Sequence, residues 1–467
     1  MLERLFGLAE RKTTVSTEVI AGATTFMTMA YIIFVQPALL SQAGMDFGSV
    51  MVASCLAAAI SSLVMGLWAN YPIALAPGMG ENFFFVYTVV LGLSVSWQLA
   101  LGMVLLSGLM FLALSFFGVR AYLLEAVPAQ LRYGIAGGIG AFILMIGLGH
   151  AGLISRNQAA WAELFDAAGA WAAIKAGDWG FFARLGEIYG LFGEWGWPQG
   201  IAGAGMAVCL ALLALRVRGA LLIGMAAAAG LGLLVGEVHW RGVVSAPPSV
   251  APTFMQFELA GLFNWKLFPL VLVFLFMVLF DTIGTLIGVS EQAGLVDEKG
   301  RLPRARRAFM ADAFGTSVGA LLGTSTVTSY IESAAGVQAG GRTGLAAVVC
   351  AAGFLAALFF SPVVQMVGSG METASGVTLY PITAPALVIV GVLMLRSVAR
   401  TGWSSWVKTV PAVLVVVGMP LSYSIADGLA FGFIAYPILH LATGRGREVS
   451  GLIYALGLIF LLRYLFL

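Results

Sequence analysis

The sequence predicts an all-α integral membrane protein of about fourteen transmembrane segments, built as two inverted repeats of seven. Three observations carry this prediction. Of the 467 residues, 60% are hydrophobic and only 10% charged, whereas a soluble domain carries about 25% charge. Apolar stretches of about 20 residues, enough to cross a bilayer core, recur along the chain. Finally, the interrupted stretches among them occupy matching places in the two halves.

In chain order, the clearest spans lie near 16–36, 49–69, 98–118, 134–153, 199–215, 219–236, 267–289, 342–361 and 381–396. Shorter or Gly/Pro-interrupted segments lie near 76–92, 308–323, 324–338, 407–421 and 425–441. The last stretch, Gly451 to Leu467, is apolar enough for a further crossing, yet Arg463 and the basic loop before it equally fit a helix lying along the membrane. The charge pattern supports this count, because Lys and Arg collect on alternate loops. Arg4, Arg11 and Lys12, Arg120 and Arg132, Arg216 and Arg218, Lys299 to Arg307, Arg342, Arg396 to Lys408, and Arg445 and Arg447 all fall on one face. That face is the cytoplasm, so the N-terminus is cytoplasmic and the chain a multi-pass protein of the cell inner membrane. The two longest polar connections, near 154–198 and 237–266, fall opposite and hold Trp161, Trp171, Trp179, Trp195, Trp197 and Trp240, the residue type expected at interfaces. The charged start, MLERLFGLAERKTT, precedes a long apolar run without a small-residue cleavage site, so no removable signal peptide is read.

Splitting the chain near residue 266 gives about seven spans per half, and an odd number inverts the second half relative to the first. LAPGMGENFFF is then the third segment of one half and GTSTVTSYIESAAG the third of the other. Paired broken helices at corresponding positions point to a substrate site, since unwound backbone is tolerated at membrane depth only where it is buried in protein or lines a cavity.

A carboxylate at mid-bilayer costs roughly 2.5–3.5 kcal/mol on insertion scales, so each one needs a partner or a task. Asp281 ends an apolar run that begins at Leu267, Glu332 lies in TSYIESAAG, and Glu81 follows PGMG. If the repeats superpose, Glu81 and Glu332 face one cavity. A carboxyl group withdrawn from water holds a proton more readily and also accepts hydrogen bonds from ring N–H and amine groups, so one group can bind and couple. Thr324, Ser325, Thr326, Thr328 and Ser329 add hydroxyls beside Glu332. Asp312 reads as a partner of Arg306 or Arg307, and Asp427 as the start of a late span. His150, His239 and His440 lie near span ends without metal-ligand spacing.

Other function classes find little support. Basic residues form no stripe for nucleic acid. Cys55, Cys209 and Cys350 are too scattered for a disulfide framework or a metal site, and no cofactor motif occurs. No phosphate loop or HExxH is present, and the GTSVG match at Gly315 to Gly319 lies inside an apolar span.

The segments TTFMTMAYIIFVQP, APGMGENFFFVYTVV, FDTIGTLIG, GTSTVTSYIESAAGV with AGGRTGL, and PLSYSIADGLAFGF resemble, in that order, the AzgA-like adenine/guanine/hypoxanthine permeases of the nucleobase/cation symporter-2 family. The resemblance runs from about residue 5 to the C-terminus. It implies short antiparallel strands and half-helices in segments 3 and 10. It also implies a core domain (1–118, segments 1–4; 267–361, segments 8–11) and a gate domain (119–266, segments 5–7; 362–467, segments 12–14 and the C-terminal apolar helix). The implied activity is proton symport of purine nucleobases by an elevator motion, in a membrane-embedded protein whose gate often dimerises. Carried onto this chain, the purine-contacting positions are Asn82, Asp281 and Glu332, with Thr326, Thr328 and Ser329 lining the pocket by proximity; Asp281 and Glu332 are also the acids that the residues themselves single out to bind substrate and handle the proton, and the same reading of the residues adds Glu81 to the site. Two positions depart from the family pattern: Glu81 stands in place of an apolar residue, and Gln36 precedes Pro37 where Asn is usual. A uracil or xanthine permease of the same fold is the nearest alternative. An anion carrier fits poorly because paired carboxylates repel anions, and a membrane enzyme or channel lacks support.

Overall fold

The computed structural model describes residues 2–117, 127–156, 189–191, 196–262, 267–295, 302–373, 377–400, 402 and 405–466. The expectations placed on Arg120, Lys299, Arg301, Trp161, Trp171, Trp179 and Trp195 lie outside them. Eight described helices are long and apolar enough to cross a membrane: Val15–Ser41, Phe47–Ala69, Trp97–Phe117, Ala129–His150, Trp197–Ala214, Phe268–Gln292, Gly344–Gly368 and Ile425–Ala442. Shorter apolar helices at Met79–Gly92, Ala220–Leu234, Ala384–Ala399, Trp406–Ser422 and Gly451–Leu461 fill most of the remaining places. The segment near 425–441 proves to be a full-length helix despite Pro437, whereas those near 219–236 and 381–396 are short. Proline is tolerated within membrane helices because neighbouring groups re-satisfy the freed carbonyl.

The elements that position the site are α1 (Val15–Met29), α2 (Ile32–Ser41), α3 (Phe47–Val64), β1 (Leu75–Pro77), α4 (Met79–Phe83), α5 (Trp97–Phe117), α6 (Ala129–His150), α7 (Trp197–Ala214), α8 (Ala220–Leu234), α9 (Phe268–Gln292), α10 (Ala305–Leu322), β2 (Val327–Ser329), α11 (Ser333–Gln338), α12 (Gly344–Ala357), α13 (Ala384–Leu395), α14 (Trp406–Ser422), α15 (Ile425–Ala442) and α16 (Gly451–Phe466). Local chemistry sets several of their ends. Thr14 caps α1 by accepting from Thr17 N at 3.2 Å, and Asp46 caps α3 by accepting from Ser49 N at 2.8 Å. The first span breaks between α1 and α2, where Ala30 and Tyr31 separate them. The second ends in a π-helical turn closed by Asn70, whose left-handed backbone (φ 57) reverses the chain.

Two sets of helices pack among themselves. In one, α10 packs on α3 and α5, α12 on α1 and α3, α9 on α5, and α11 on α1. In the other, α6 packs on α13 and α14, α14 on α15, and α7 on α8. Glycine permits the closest approaches within the first set. A Cβ on Gly344 would lie 2.7 Å from Gly66 Cα, so these two backbones meet with no room for any side chain. The C-terminal α16 packs along α15, with Phe460 and Phe433 stacked 6.0 Å apart. The two sets are joined in part by an aromatic cluster, in which Phe83 and Tyr87 meet Phe142 of α6, and Phe142 and Tyr87 meet Tyr423 at the end of α14.

Candidate substrate site

Segments 3 and 10 are indeed broken, each by a short strand that runs into a helix. β1 and β2 pair antiparallel in the register Leu75 to Ser329, Ala76 to Thr328 and Pro77 to Val327. Two bonds extend the ladder: Tyr330 N donates to Ala74 O and Gly78 N to Thr326 O, both at 3.0 Å. Three-residue strands are too short to be stable alone. Here they satisfy each other's backbone groups at a depth where no water can, and Tyr330 Oη adds a bond to Pro77 O at 2.5 Å.

Four acids surround this crossing. Asp281, on α9, accepts from Thr328 Oγ1 at 3.1 Å. Asp312, on α10, accepts from Thr282 Oγ1 at 2.7 Å, from Ser329 N at 2.7 Å and from Ser329 Oγ at 2.6 Å. Glu332, which precedes α11, accepts from Tyr31 Oη at 2.9 Å. Glu81, in α4, is only 2% exposed. Its Oε2 and Thr328 Oγ1 crowd the same space above Gly78, where a Cβ would collide with the first and lie 3.0 Å from the second. The groups acting on these acids are hydroxyls, backbone amides and one another, with no lysine or arginine among them.

The candidate residues Asp281, Glu332, Glu81, Thr326, Thr328 and Ser329 are therefore gathered at one crossing. Thr326 Oγ1 is buried with no hydrogen-bond partner among the described residues. Ser329 is committed to Asp312. Asn82 lies beside the crossing, but its amide is already engaged: Nδ2 donates to Gln36 Oε1 and Oδ1 accepts from Ser325 Oγ. Gln36 in turn donates to Thr324 Oγ1 at 3.0 Å, which lies 3.0 Å from Ser54 Oγ. The departure at Gln36 thus sits in a buried amide relay from the first span through Asn82 to segment 10.

Asp312 differs from the expectation. It pairs with neither Arg306 nor Arg307, and is buried with hydroxyl and amide partners that hold β2 against α9 and α10. A signal was present, since no other charge occurs from Ala308 to Tyr330. Tyr31 and Tyr330 carry no comparable signal, because a tyrosine in an apolar span reads as packing. Of the histidines, His440 stacks on Tyr436 at 4.1 Å and contacts its carbonyl at 2.9 Å, while His150 Nε2 lies 3.0 Å from Tyr87 Oη.

A helical membrane chain whose two broken segments cross at a buried carboxylate cluster has the architecture of a membrane transport protein. Solved structures agree on the fold. The transmembrane domain of a cyanobacterium bicarbonate transporter, BicA, superposes with a TM-score of 0.59 at 13% identity, covering 89% of this chain and 97% of that one. The murine anion transporter Slc26a9 in the inward-facing state gives 0.60 at 10% identity, covering 95% and 72%. The sequence then settles the family: residues 16–175 and 196–431 match the Permease family (Xan_ur_permease), and the chain belongs to it. It is 42% identical to the adenine permease AdeP of Escherichia coli over 100% of this chain and 96% of that protein. It is 40% identical to the guanine/hypoxanthine permease PbuG of Bacillus subtilis over the whole of both. The resemblance drawn from the five motifs is borne out. The protein is a multi-pass permease of the cell inner membrane, not an enzyme.

Proposed function

We propose that this permease takes up purine nucleobases, adenine, guanine or hypoxanthine, together with a proton. The observation that carries the reading is the set of buried acids around the β1–β2 crossing, with no cationic side chain among the described residues to balance them. An unpaired buried charge costs several kcal/mol, so acids gathered in this way are tolerated when they bind protons or face N–H donors. A purine base supplies such donors. Glu332, held through one oxygen by Tyr31, has the other for a ring N–H, and Asp281, held by Thr328, has an oxygen for an amine or second ring N–H. Thr326 adds a buried hydroxyl with no partner among the described residues. The names of the relatives, adenine permease and guanine/hypoxanthine permease, support the same substrates. The same cluster disfavours anions, the cargo named for the fold-level neighbours.

The movement in this reading is an elevator. The core, residues 1–118 and 267–361, carries the site past a gate formed by 119–266 and 362–467, through which two copies pair. The two separately packed helix sets support the division. The two sets meet where Tyr87 of the core lies 3.0 Å from His150 of the gate. Uptake of radiolabelled adenine, hypoxanthine, guanine and uracil into cells lacking their own nucleobase permeases tests the reading. Saturable purine uptake that an uncoupler abolishes is expected. Uptake of uracil alone, or purine uptake indifferent to the proton gradient, overturns the cargo or the coupling respectively.

A further inference from the structure

Away from the crossing, a polar cavity of about 470 Å³ opens between three segments of the first helix set: residues 10–17 leading into α1, residues 293–295 after α9, and residues 340–342 before α12. Its volume falls in the range of roughly 300–1,000 Å³ typical of small-molecule sites. Arg11, Lys12 and Arg342 line it, with Glu10 as the acid in its wall. The Glu10 carboxyl group lies back over Gly7, where a Cβ would stand 3.3 Å from its Oε2. Arg342 Nη1 donates to Val337 O and Gly341 O, both at 2.7 Å. These carbonyls fix the guanidinium and leave Nη2 and Nε as donors. Glu18 meets this residue through the backbone instead, accepting from Arg342 N at 2.8 Å and from Thr343 N at 3.3 Å. Among the described residues, Arg11 and Lys12 bond only through their backbone N–H groups, to Gly7 O and Ala9 O. Three hydroxyls complete the wall. Thr13 Oγ1 is buried with no partner among the described residues, and Thr14 Oγ1 and Thr17 Oγ1 lie 2.8 Å apart in the first turn of α1. The positive end of that 15-residue helix adds to the cationic field.

Positive charge on this face follows from membrane insertion alone. Insertion does not require cations from segments some 330 residues apart to converge on one cavity, nor a guanidinium already held in place beside a buried hydroxyl without a partner. A fixed guanidinium fork flanked by further cations and a helix N-terminus is the donor set that suits a phosphate group. We propose that this cavity binds a phosphate ester, with Arg342 as the anchor and Arg11 and Lys12 as the flanking charges. Two sources carry that chemistry: the headgroup of an anionic lipid in the cytoplasmic leaflet, and a soluble phosphate ester of the cytoplasm. Either ligand ties the start of α1, the end of α9 and the approach to α12 together, so occupancy stabilises the fold by linkage. The site is separate from the β1–β2 crossing and does not depend on the cargo or on proton coupling.

The test is thermal unfolding of the purified full chain in an uncharged detergent. The probes are short-chain phosphatidylglycerol and glycerol 3-phosphate, with short-chain phosphatidylcholine and sodium chloride at matched ionic strength as blanks. For a chain of this size, a ligand at a hundredfold excess over its Kd raises the melting temperature by about 3 °C. Stabilisation by phosphatidylglycerol alone assigns a lipid headgroup, and stabilisation by glycerol 3-phosphate, with or without the lipid, assigns a soluble ester; both uphold the site. Arg11→Gln with Lys12→Gln should leave unliganded melting unchanged and weaken binding about thirtyfold. Arg342→Lys keeps the charge but loses the fork, and should weaken binding about tenfold. Arg216→Gln with Arg218→Gln removes an exposed basic pair outside the cavity and should bind as wild type. No stabilisation by either probe, wild-type binding in either cavity variant, or an equal loss in the Arg216 and Arg218 control overturns the site.

Discussion

Asp312 offers the sharpest test of how the site is held together. Its carboxylate accepts three hydrogen bonds at 2.6–2.7 Å, two of them from Ser329. Ser329 is the last residue of β2, so these bonds fix the strand against α10 at the point where it pairs with Leu75. Asp312→Ala removes all three and leaves the Ser329 amide buried without an acceptor. Hydrogen bonds to charged groups are worth about 1.5–3 kcal/mol in soluble proteins, while interhelical bonds in membranes average about 0.6 kcal/mol. Three bonds between those limits give a loss of about 2–4 kcal/mol, or about 30-fold to 1,000-fold in the equilibrium between intact and disrupted site. Asp312→Asn should be milder. A rotated amide can offer its oxygen to Ser329 and its NH2 group to Thr282 Oγ1, which then accepts. The assay is thermal unfolding in detergent followed by uptake in cells. Asp312→Ala should melt roughly 5 °C or more below wild type and lose uptake, with Asn between the two. An alanine variant with wild-type melting and uptake would refute the structural role. An asparagine variant that melts like wild type yet transports no better than alanine would instead make the charge or proton of Asp312 part of transport.

Asp281→Asn and Glu332→Gln should each abolish or severely weaken purine uptake with membrane levels unchanged, as read by uptake and by immunoblotting of membranes; normal transport by both would defeat the site assignment. Tyr31→Phe removes the one side-chain bond to the Glu332 carboxyl group among the described residues, and should weaken purine binding about tenfold, measured as the concentration of half-maximal uptake. Gly344→Ala places a methyl group against the Gly66 backbone and should destabilise the protein by about 1–3 kcal/mol, seen as a lower melting temperature; Gly203→Ala, which meets open space, is the control expected to leave it unchanged.

Much of this architecture is legible in the sequence because the bilayer imposes a one-dimensional rule. A segment that crosses must be apolar, and a charge within it is conspicuous, so Asp281, Glu332 and the two broken segments stand out before any folding is considered. Glycine and proline in APGMG and the hydroxyl run GTSTVTS mark where the helices break. The five motifs, in order, also announce the family. Span lengths were less legible, since Pro437 suggested an interruption that the surrounding helices absorb.

What the tertiary structure alone decided is which polar atoms meet. Asp312 lies near a basic run in sequence and reads as its partner, but α10 turns it inward to Thr282 and Ser329, and only three-dimensional packing distinguishes those choices. Asn82 reads as a substrate contact, and only packing shows that one Nδ2 hydrogen goes to Gln36 and that Oδ1 accepts from Ser325, residues 46 and 243 positions away. Glu81 could have faced lipid or cavity, and folding buries it with its carboxyl group against Gly78. Hydrophobicity acts on each segment separately and is written along the chain, whereas a hydrogen bond depends on the position and direction of two groups, and those are set only when distant segments pack.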